Sequence, residues 1–364
     1  MAFEVTDAVD RSSSLWQMLK DLPKIELHRH LEGSIRLTTL VDIATRYNIP
    51  LPSYETEFLR PYVQMTREDP ATSAQFLTKF SVLRQLFVSE DVIQRIAYEA
   101  VEDAAIDNIH YMELRFTPYA QAKLMGFPIE QVVRWVCEAV QHAAQDNNIQ
   151  VKLIVAVNRH ESVEIAAEML QAAIAHRDLG VVGFDLCGNE ANYLAAPFAP
   201  LFQQAKDAGL GVTIHAGEWA GAENVRYAIE AIHPQRIGHG VRAVEDSTTL
   251  QMAIENNIYF EVCPTSNLQT GVVSQLDQHP LLDLYYLKAH VTINTDDPAI
   301  HNISLTDEYA LLVQGLGLPL SYVRACILNA IHCAFLPQAQ KDHLLAEIEP
   351  ALSHLDPRVP ETEY

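Results

Sequence analysis

Eight short runs rich in β-branched and aromatic residues recur along the chain, and stretches with helical periodicity separate them. The runs are 25–30, 111–116, 151–157, 181–186, 211–215, 236–239, 258–263 and 290–294. Between them, 92–106, 129–144, 163–175 and 225–232 repeat apolar residues at amphipathic-helix spacing. Strands that alternate with helices build βαβ units and a parallel sheet, the α/β class. Eight such units predict a closed (β/α)8 TIM barrel, which takes about 250 residues before insertions. The chain has 364 residues, enough for the barrel and additions to it. A doubly wound open sheet is the alternative, but no Gly-rich phosphate fingerprint opens the first unit.

One interval is longer than a crossover needs. About 80 residues lie between the first and second runs, and 38–47 and 74–87 within them read as helices. The expected organisation is therefore a single domain over 1–364 with a helical insertion at about 34–90. In a barrel this insertion lies above the carboxyl ends of the strands, as a lid or as a packing appendage. The tail from Ser321 onward also reads as helix and is expected to close the bottom or side of the barrel.

Composition narrows the partners. Twenty-five Lys and Arg against 47 Asp and Glu leave a formal charge of −22, which repels nucleic acid and anionic membranes but not a small neutral substrate. The 5 cysteines are scattered with no CxxC pair, which opposes a disulfide framework and a cysteine zinc site and suits a reducing, cytoplasmic setting. The first twenty residues carry Glu4, Asp7 and Asp10 and lack the basic and apolar regions of a signal peptide. No apolar run reaches the roughly 18–20 residues of a membrane helix.

The chemistry gathers at the strand ends. The first strand closes on Glu26-Leu27-His28-Arg29-His30, and alternation puts His28 and His30 on one face. The fifth runs into His215-Ala216-Gly217-Glu218, the sixth into Gly238-His239-Gly240, and the eighth into Asn294-Thr295-Asp296-Asp297. Each places a His, Glu or Asp at the carboxyl end of a strand, where barrel enzymes keep their sites. Nitrogen and oxygen donors converging there suit zinc or another first-row metal. Taken singly, His215 also reads as a core histidine and the Asp296-Asp297 pair as a cap before Pro298. Glu218 stands above the site, where shielding from water keeps a carboxyl protonated and able to act as an acid. The glycines Gly188, Gly217 and Gly240 read as close backbone approaches or as ordinary turns. The remaining histidines, His142, His176 and His279 among them, are expected to be solvated. GxSxG, GxxxxGK[ST], HExxH and the HxE/PCxxC signature are all absent.

Joined in order, His28-Arg29-His30-Leu31-Glu32-Gly33-Ser34, Gly183-Phe184-Asp185-Leu186-Cys187-Gly188-Asn189-Glu190, His215-Ala216-Gly217-Glu218, Gly238-His239-Gly240, Cys263-Pro264-Thr265-Ser266-Asn267 and Thr295-Asp296-Asp297-Pro298 resemble the adenosine deaminase family, the adenosine/adenine/AMP branch of the amidohydrolase superfamily. The resemblance covers residues 24 to about 302. It implies one zinc per chain held by His28, His30, His215 and Asp296. It further implies attack of zinc-bound hydroxide on the ring carbon C6, with Glu218 protonating N1 and His239 as base and orienter. By the same match Asp297 meets N7, the Gly188 backbone N–H meets N3, and His30 and Glu32 contact the substrate. The implied reaction turns adenosine and 2′-deoxyadenosine into inosine and 2′-deoxyinosine plus ammonia. Two positions depart from the nucleoside-type pattern. Glu32 replaces an Asp that contacts the ribose 5′-hydroxyl, and Asn189 replaces an Asp. These departures keep adenine and modified nucleosides such as 6-aminodeoxyfutalosine as alternative substrates. The non-deaminase alternatives are another mononuclear amidohydrolase and an inactive binding barrel. The fourth strand holds no Lys for a two-metal bridge.

Overall fold

The alternation of extended and helical segments resolves into eight parallel strands in a computed structural model that describes residues 2–355. They are β1 (Lys24–His30), β2 (Ile109–Phe116), β3 (Gln150–Asn158), β4 (Val181–Cys187), β5 (Gly211–Ala216), β6 (Arg236–His239), β7 (Tyr259–Val262) and β8 (His290–Ile293). Each pairs with the next in sequence order. β8 is drawn back onto β1 by a parallel bridge between Arg29 and Asp296. There His30 N donates to Asp296 O at 2.7 Å, and Asp296 N donates to His28 O at 2.9 Å. Below that point Leu27 N donates to Asn294 Oδ1 at 2.9 Å. The ring is thus a (β/α)8 barrel, and its strands are buried on both faces because helices cover the outside.

The interior is a buried ionic ladder rather than an apolar plug. Arg236 on β6 bonds Glu113 on β2 and Glu261 on β7, and Arg115 on β2 bonds Glu261 and Asp185 on β4. All five side chains are fully buried. Charges so placed repay their desolvation only when each is paired, and removing one partner typically costs 3–5 kcal/mol. The ladder stands on a floor made by the chain's tail. After the helix Leu320–Cys333, Phe335 turns under the barrel, with the Arg236 guanidinium 3.6 Å from its ring centroid. The tail therefore closes the bottom. Gly183 and Gly211 make room for it: a Cβ at Gly211 would lie 2.3 Å from the ring, and one at Gly183 2.8 Å from it.

Helices Leu37–Tyr47, Thr56–Val63, Ser73–Leu83 and Glu90–Ile106 fill the interval between β1 and β2. Helix Thr56–Val63 lies outside the segments that the sequence reads as helical, because a proline, Pro61, stands within its two turns. It is held from outside: the buried Lys79 ammonium donates to Pro61 O at 2.6 Å while pairing with Asp69 at 2.9 Å. The expected solvation of His176 and His279 is also corrected. Both are buried, His176 with Nδ1 2.9 Å from Ala172 O and His279 with Nδ1 accepting from Leu281 N at 3.0 Å. His142 is exposed as expected. All five cysteines are free and buried, and no helix among the described residues is long and apolar enough to cross a membrane.

The close approach at the floor is testable. Gly211→Ala is expected to lower stability by about 1–3 kcal/mol through overpacking. Adding Phe335→Ala should return part of that loss, because the clash disappears with the ring. A urea-denaturation double-mutant cycle reads the coupling; additive losses would place the Gly211 constraint elsewhere.

Candidate active site

Strand alternation carries His28 and His30 to the inside of the barrel mouth, where β5 brings His215 and the end of β8 brings Asp296. The ligand atoms of these four side chains lie within 4.8 Å of one another. His28 Nε2 is 3.2 Å and His30 Nε2 3.4 Å from Asp296 Oδ1. The His28 and His215 rings are 4.6 Å apart, and the His239 ring from β6 lies 4.9 Å from His28. His239 and Asp296 both adopt left-handed backbone, at φ 58° and 62°. Non-glycine residues pay about 1–3 kcal/mol for such a conformation, and it persists only where the surroundings over-determine it. For Asp296 the surroundings are the two backbone hydrogen bonds that close the barrel.

Each donor is aimed by a partner behind it. Glu261 Oε2 lies 2.8 Å from His28 Nδ1, which favours the proton on Nδ1 and turns the opposite nitrogen toward Asp296. That nitrogen, His28 Nε2, is buried with no hydrogen-bond partner. Asp185 does the same for His215, both carboxylate oxygens lying 3.2 Å from Nδ1. Ser266 Oγ donates to Asp296 Oδ2 at 2.8 Å, and Asn267 Nδ2 lies 3.2 Å from His239 Nδ1. Burial alone would raise the Asp185 and Glu261 carboxyls, but the facing imidazoles and arginines outweigh it and keep both ionised. Burial also holds His30 and His239 toward the neutral form, the form that binds a metal or accepts a proton. Three imidazole nitrogens, one of them buried without a hydrogen-bond partner, and one carboxylate fit a first-row divalent metal ion with a position left open. The nearby Cys263 is a poor ligand, since burial pushes its thiol far up and its Sγ is turned toward Glu261 O.

Glu218 faces this cluster from the loop after β5, its Oε1 3.6 Å from His239 Nε2. Burial, and then the charges of Asp296, Glu190 and Asp297, push its carboxyl well above the usual range, which favours the protonated form. The loop is clamped by Glu190. One carboxylate oxygen accepts from Gly217 N at 2.7 Å and Asn224 Nδ2 at 3.0 Å; the other accepts from the backbone N–H groups of Glu218, Trp219 and Ala220 at 2.9–3.2 Å.

His30, Glu32, Gly188, His215, Glu218, His239, Asp296 and Asp297 line a single cavity, and His28 lies with the ligand cluster behind it. The sequence-expected site residues are thus brought together. Asp297 Oδ1 is buried without a partner, and no side-chain cap is made to the short helix after it. Burial and the Asp296 charge raise the Asp297 carboxyl. Gly33 is required beneath it, since a Cβ there would sit 1.7 Å from Asp297 Oδ1. Gly188, at φ 88°, keeps the opposite wall open. Glu32 Oε1 accepts from Thr117 N and Gln121 Nε2, both at 2.8 Å. Phe76, Leu77 and Phe80 from the interval between β1 and β2 form the roof, with Trp219 against them. The supports Asp185, Glu190, Glu261, Ser266 and Asn267 carried no assigned role in the sequence. For Glu261 a signal existed, a lone carboxylate inside an otherwise apolar strand.

Known proteins share this arrangement of chain. The family model described as "Adenosine deaminase" matches residues 23–351. The adenosine deaminase of Serratia proteamaculans is 39% identical over 323 residues, 89% of this chain and 97% of that protein. Among solved structures, an amidohydrolase of Burkholderia ambifaria with bound Zn superimposes with a TM-score of 0.86 at 26% identity, covering 96% of each chain. An adenine deaminase of Arthrobacter aurescens gives a TM-score of 0.84 at 28% identity, covering 91% of this chain and 99% of its own.

Removing one support isolates its effect on the cluster. Ser266→Ala is expected to weaken divalent-metal affinity by about 10–100-fold while the fold is kept. Chelator competition measures the affinity and circular dichroism the fold; an unchanged affinity would mean that Ser266 does not orient Asp296.

Proposed function

The chain belongs to the adenosine deaminase family, and from that membership we propose that it hydrolyses adenosine and 2′-deoxyadenosine to inosine and 2′-deoxyinosine plus ammonia. The observation that carries the reading is a buried Glu218, its carboxyl raised well above the usual range by burial, facing three imidazoles and a carboxylate across one cavity. We assign one zinc to His28, His30, His215 and Asp296, supported by the donor set and by the zinc in the Burkholderia relative. When bound, zinc supplies Lewis acidity, which makes water acidic enough to furnish hydroxide near neutral pH. The reading takes the chain as one barrel domain whose helical insertion, at about 34–90, roofs the cavity.

The chain's own residues supply the proton traffic. Glu218 gives its proton to purine N1, which removes aromatic character at C6 and lets the ring accept the attacking oxygen. His239, neutral and 3.8 Å from Asp296, takes the proton that this oxygen sheds. The amino nitrogen then departs as ammonia with that proton, and the hydroxyl left on C6 returns a proton to Glu218. Asp297, raised by burial, donates to N7, and the Gly188 N–H donates to N3. His30 bounds the substrate on the metal side, and Glu32 faces the sugar end. Phe76, Leu77 and Phe80 exclude water, which strengthens each of these contacts. Adenine is the second reading. It is favoured by Glu32, whose oxygen is already committed to Thr117 and Gln121, and by the adenine deaminase of similar structure.

Glu218→Gln is expected to keep its metal and lose about 10²–10⁴-fold in kcat. Metal analysis beside an absorbance assay of adenosine loss checks both, and near-normal turnover would remove Glu218 from the chemistry. Glu32→Asp should raise the adenosine-to-adenine ratio of kcat/KM by about tenfold, the worth of one hydrogen bond to a charged group. Released ammonia across adenine, adenosine, deoxyadenosine, AMP and 6-aminodeoxyfutalosine reads it; an unmoved ratio would exclude Glu32 from sugar recognition.

A further inference from the structure

Strand alternation that turns His28 and His30 inward turns Arg29 outward. It points into a second cleft, of about 410 Å3, between the N-terminal helix Ser14–Asp21, the end of helix Glu90–Ile106 and the segment after Asp297. This cleft shares no lining residue with the cavity that holds Glu218. Four basic side chains, Arg11, Lys20, Arg29 and Arg36, meet there in a chain of net charge −22.

Two of the four are neutralised. Arg11 Nε and Nη2 each donate to Asp307 at 2.8 Å, and Arg36 Nη2 lies 2.6 Å from both Glu102 and Asp103. The other two make no ion pair among the described residues. Arg29 is 5% exposed, and its one hydrogen bond runs from Nε to Ser34 Oγ at 3.1 Å. Glu26, on the same strand, spends its two oxygens accepting from Thr295 N and Oγ1. Asp107, also in the cleft, is occupied by Thr306. Lys20 rests its ammonium 5.5 Å from the Trp16 ring centroid. A guanidinium buried without an ion-pair partner is costly, and its planar fork of donors matches an oxyanion.

We infer that this cleft binds a phosphate-type oxyanion, with the Arg29 guanidinium at its base and the Lys20 ammonium at its rim. The site is independent of deamination, so its test does not depend on the substrate. Metal-replete protein is titrated calorimetrically with inorganic phosphate, and separately with α-glycerophosphate, at ionic strength held constant with chloride. Saturable one-site binding is expected. Lys20→Glu should weaken it at least about tenfold, the worth of one charge-assisted contact. Lys20→Gln, which alters packing less, should weaken it in the same direction, and both variants should retain deamination. Binding of both titrants identifies a phosphate monoester site, and binding of free phosphate alone identifies an inorganic-ion site. Three results would overturn the inference: no saturable heat, equal affinity in the Lys20 variants, or phosphate competing with adenosine, which would place it at the metal cluster.

Discussion

Glu261 is the group on which the rest of the molecule hangs. One of its oxygens accepts from Arg236 and Thr213, the other from Arg115 and His28. Through Arg236 it is tied to the floor that Phe335 forms, and through His28 to the donor cluster at the mouth. A carboxylate so buried is tolerable only because every lone pair is used. The same pairing fixes which nitrogen of His28 faces the cluster. Stability and site geometry are therefore set by one ionic ladder through the barrel axis.

That arrangement explains how two carboxyls lining one cavity are shifted in opposite directions. Asp296 is surrounded by imidazoles and a serine hydroxyl that push its carboxyl down, whereas Glu218 lies across the cavity with no cation bonded to it and is pushed up. The difference is one of neighbours rather than of burial, since both are almost fully enclosed. Glu190 makes the contrast possible. By gathering the backbone N–H groups of residues 217–220 it holds Glu218 over the cluster without lending it a positive charge.

Much of this was legible beforehand. The helix expected at 163–175 is Val163–Ala175 in the fold, and β6 carries the bounds read from sequence, because both follow strict periodicities. Helix Thr56–Val63 was hidden because it is only two turns long and contains Pro61, although Leu59 and Val63 give it a buried apolar face. His176 and His279 read as solvated because a histidine's burial depends on what packs over it, which spacing does not encode. The donors were visible through their place at strand ends. Their supports were not, since Asp185, Glu190 and Ser266 gain meaning only from groups on distant segments that the fold brings to them.

Local periodicity was enough to specify eight strands, their alternation with helices, and the end of the barrel at which His28, His30, His215, His239 and Asp296 would lie. These follow from backbone geometry, in which side-chain direction repeats every two or 3.6 residues. Which nitrogen of His28 faces the cluster, why the Glu218 carboxyl is raised, and why Arg29 has no ion-pair partner required the folded chain. Protonation and pairing depend on distances between residues hundreds of positions apart, and only closure of β8 onto β1 sets those distances.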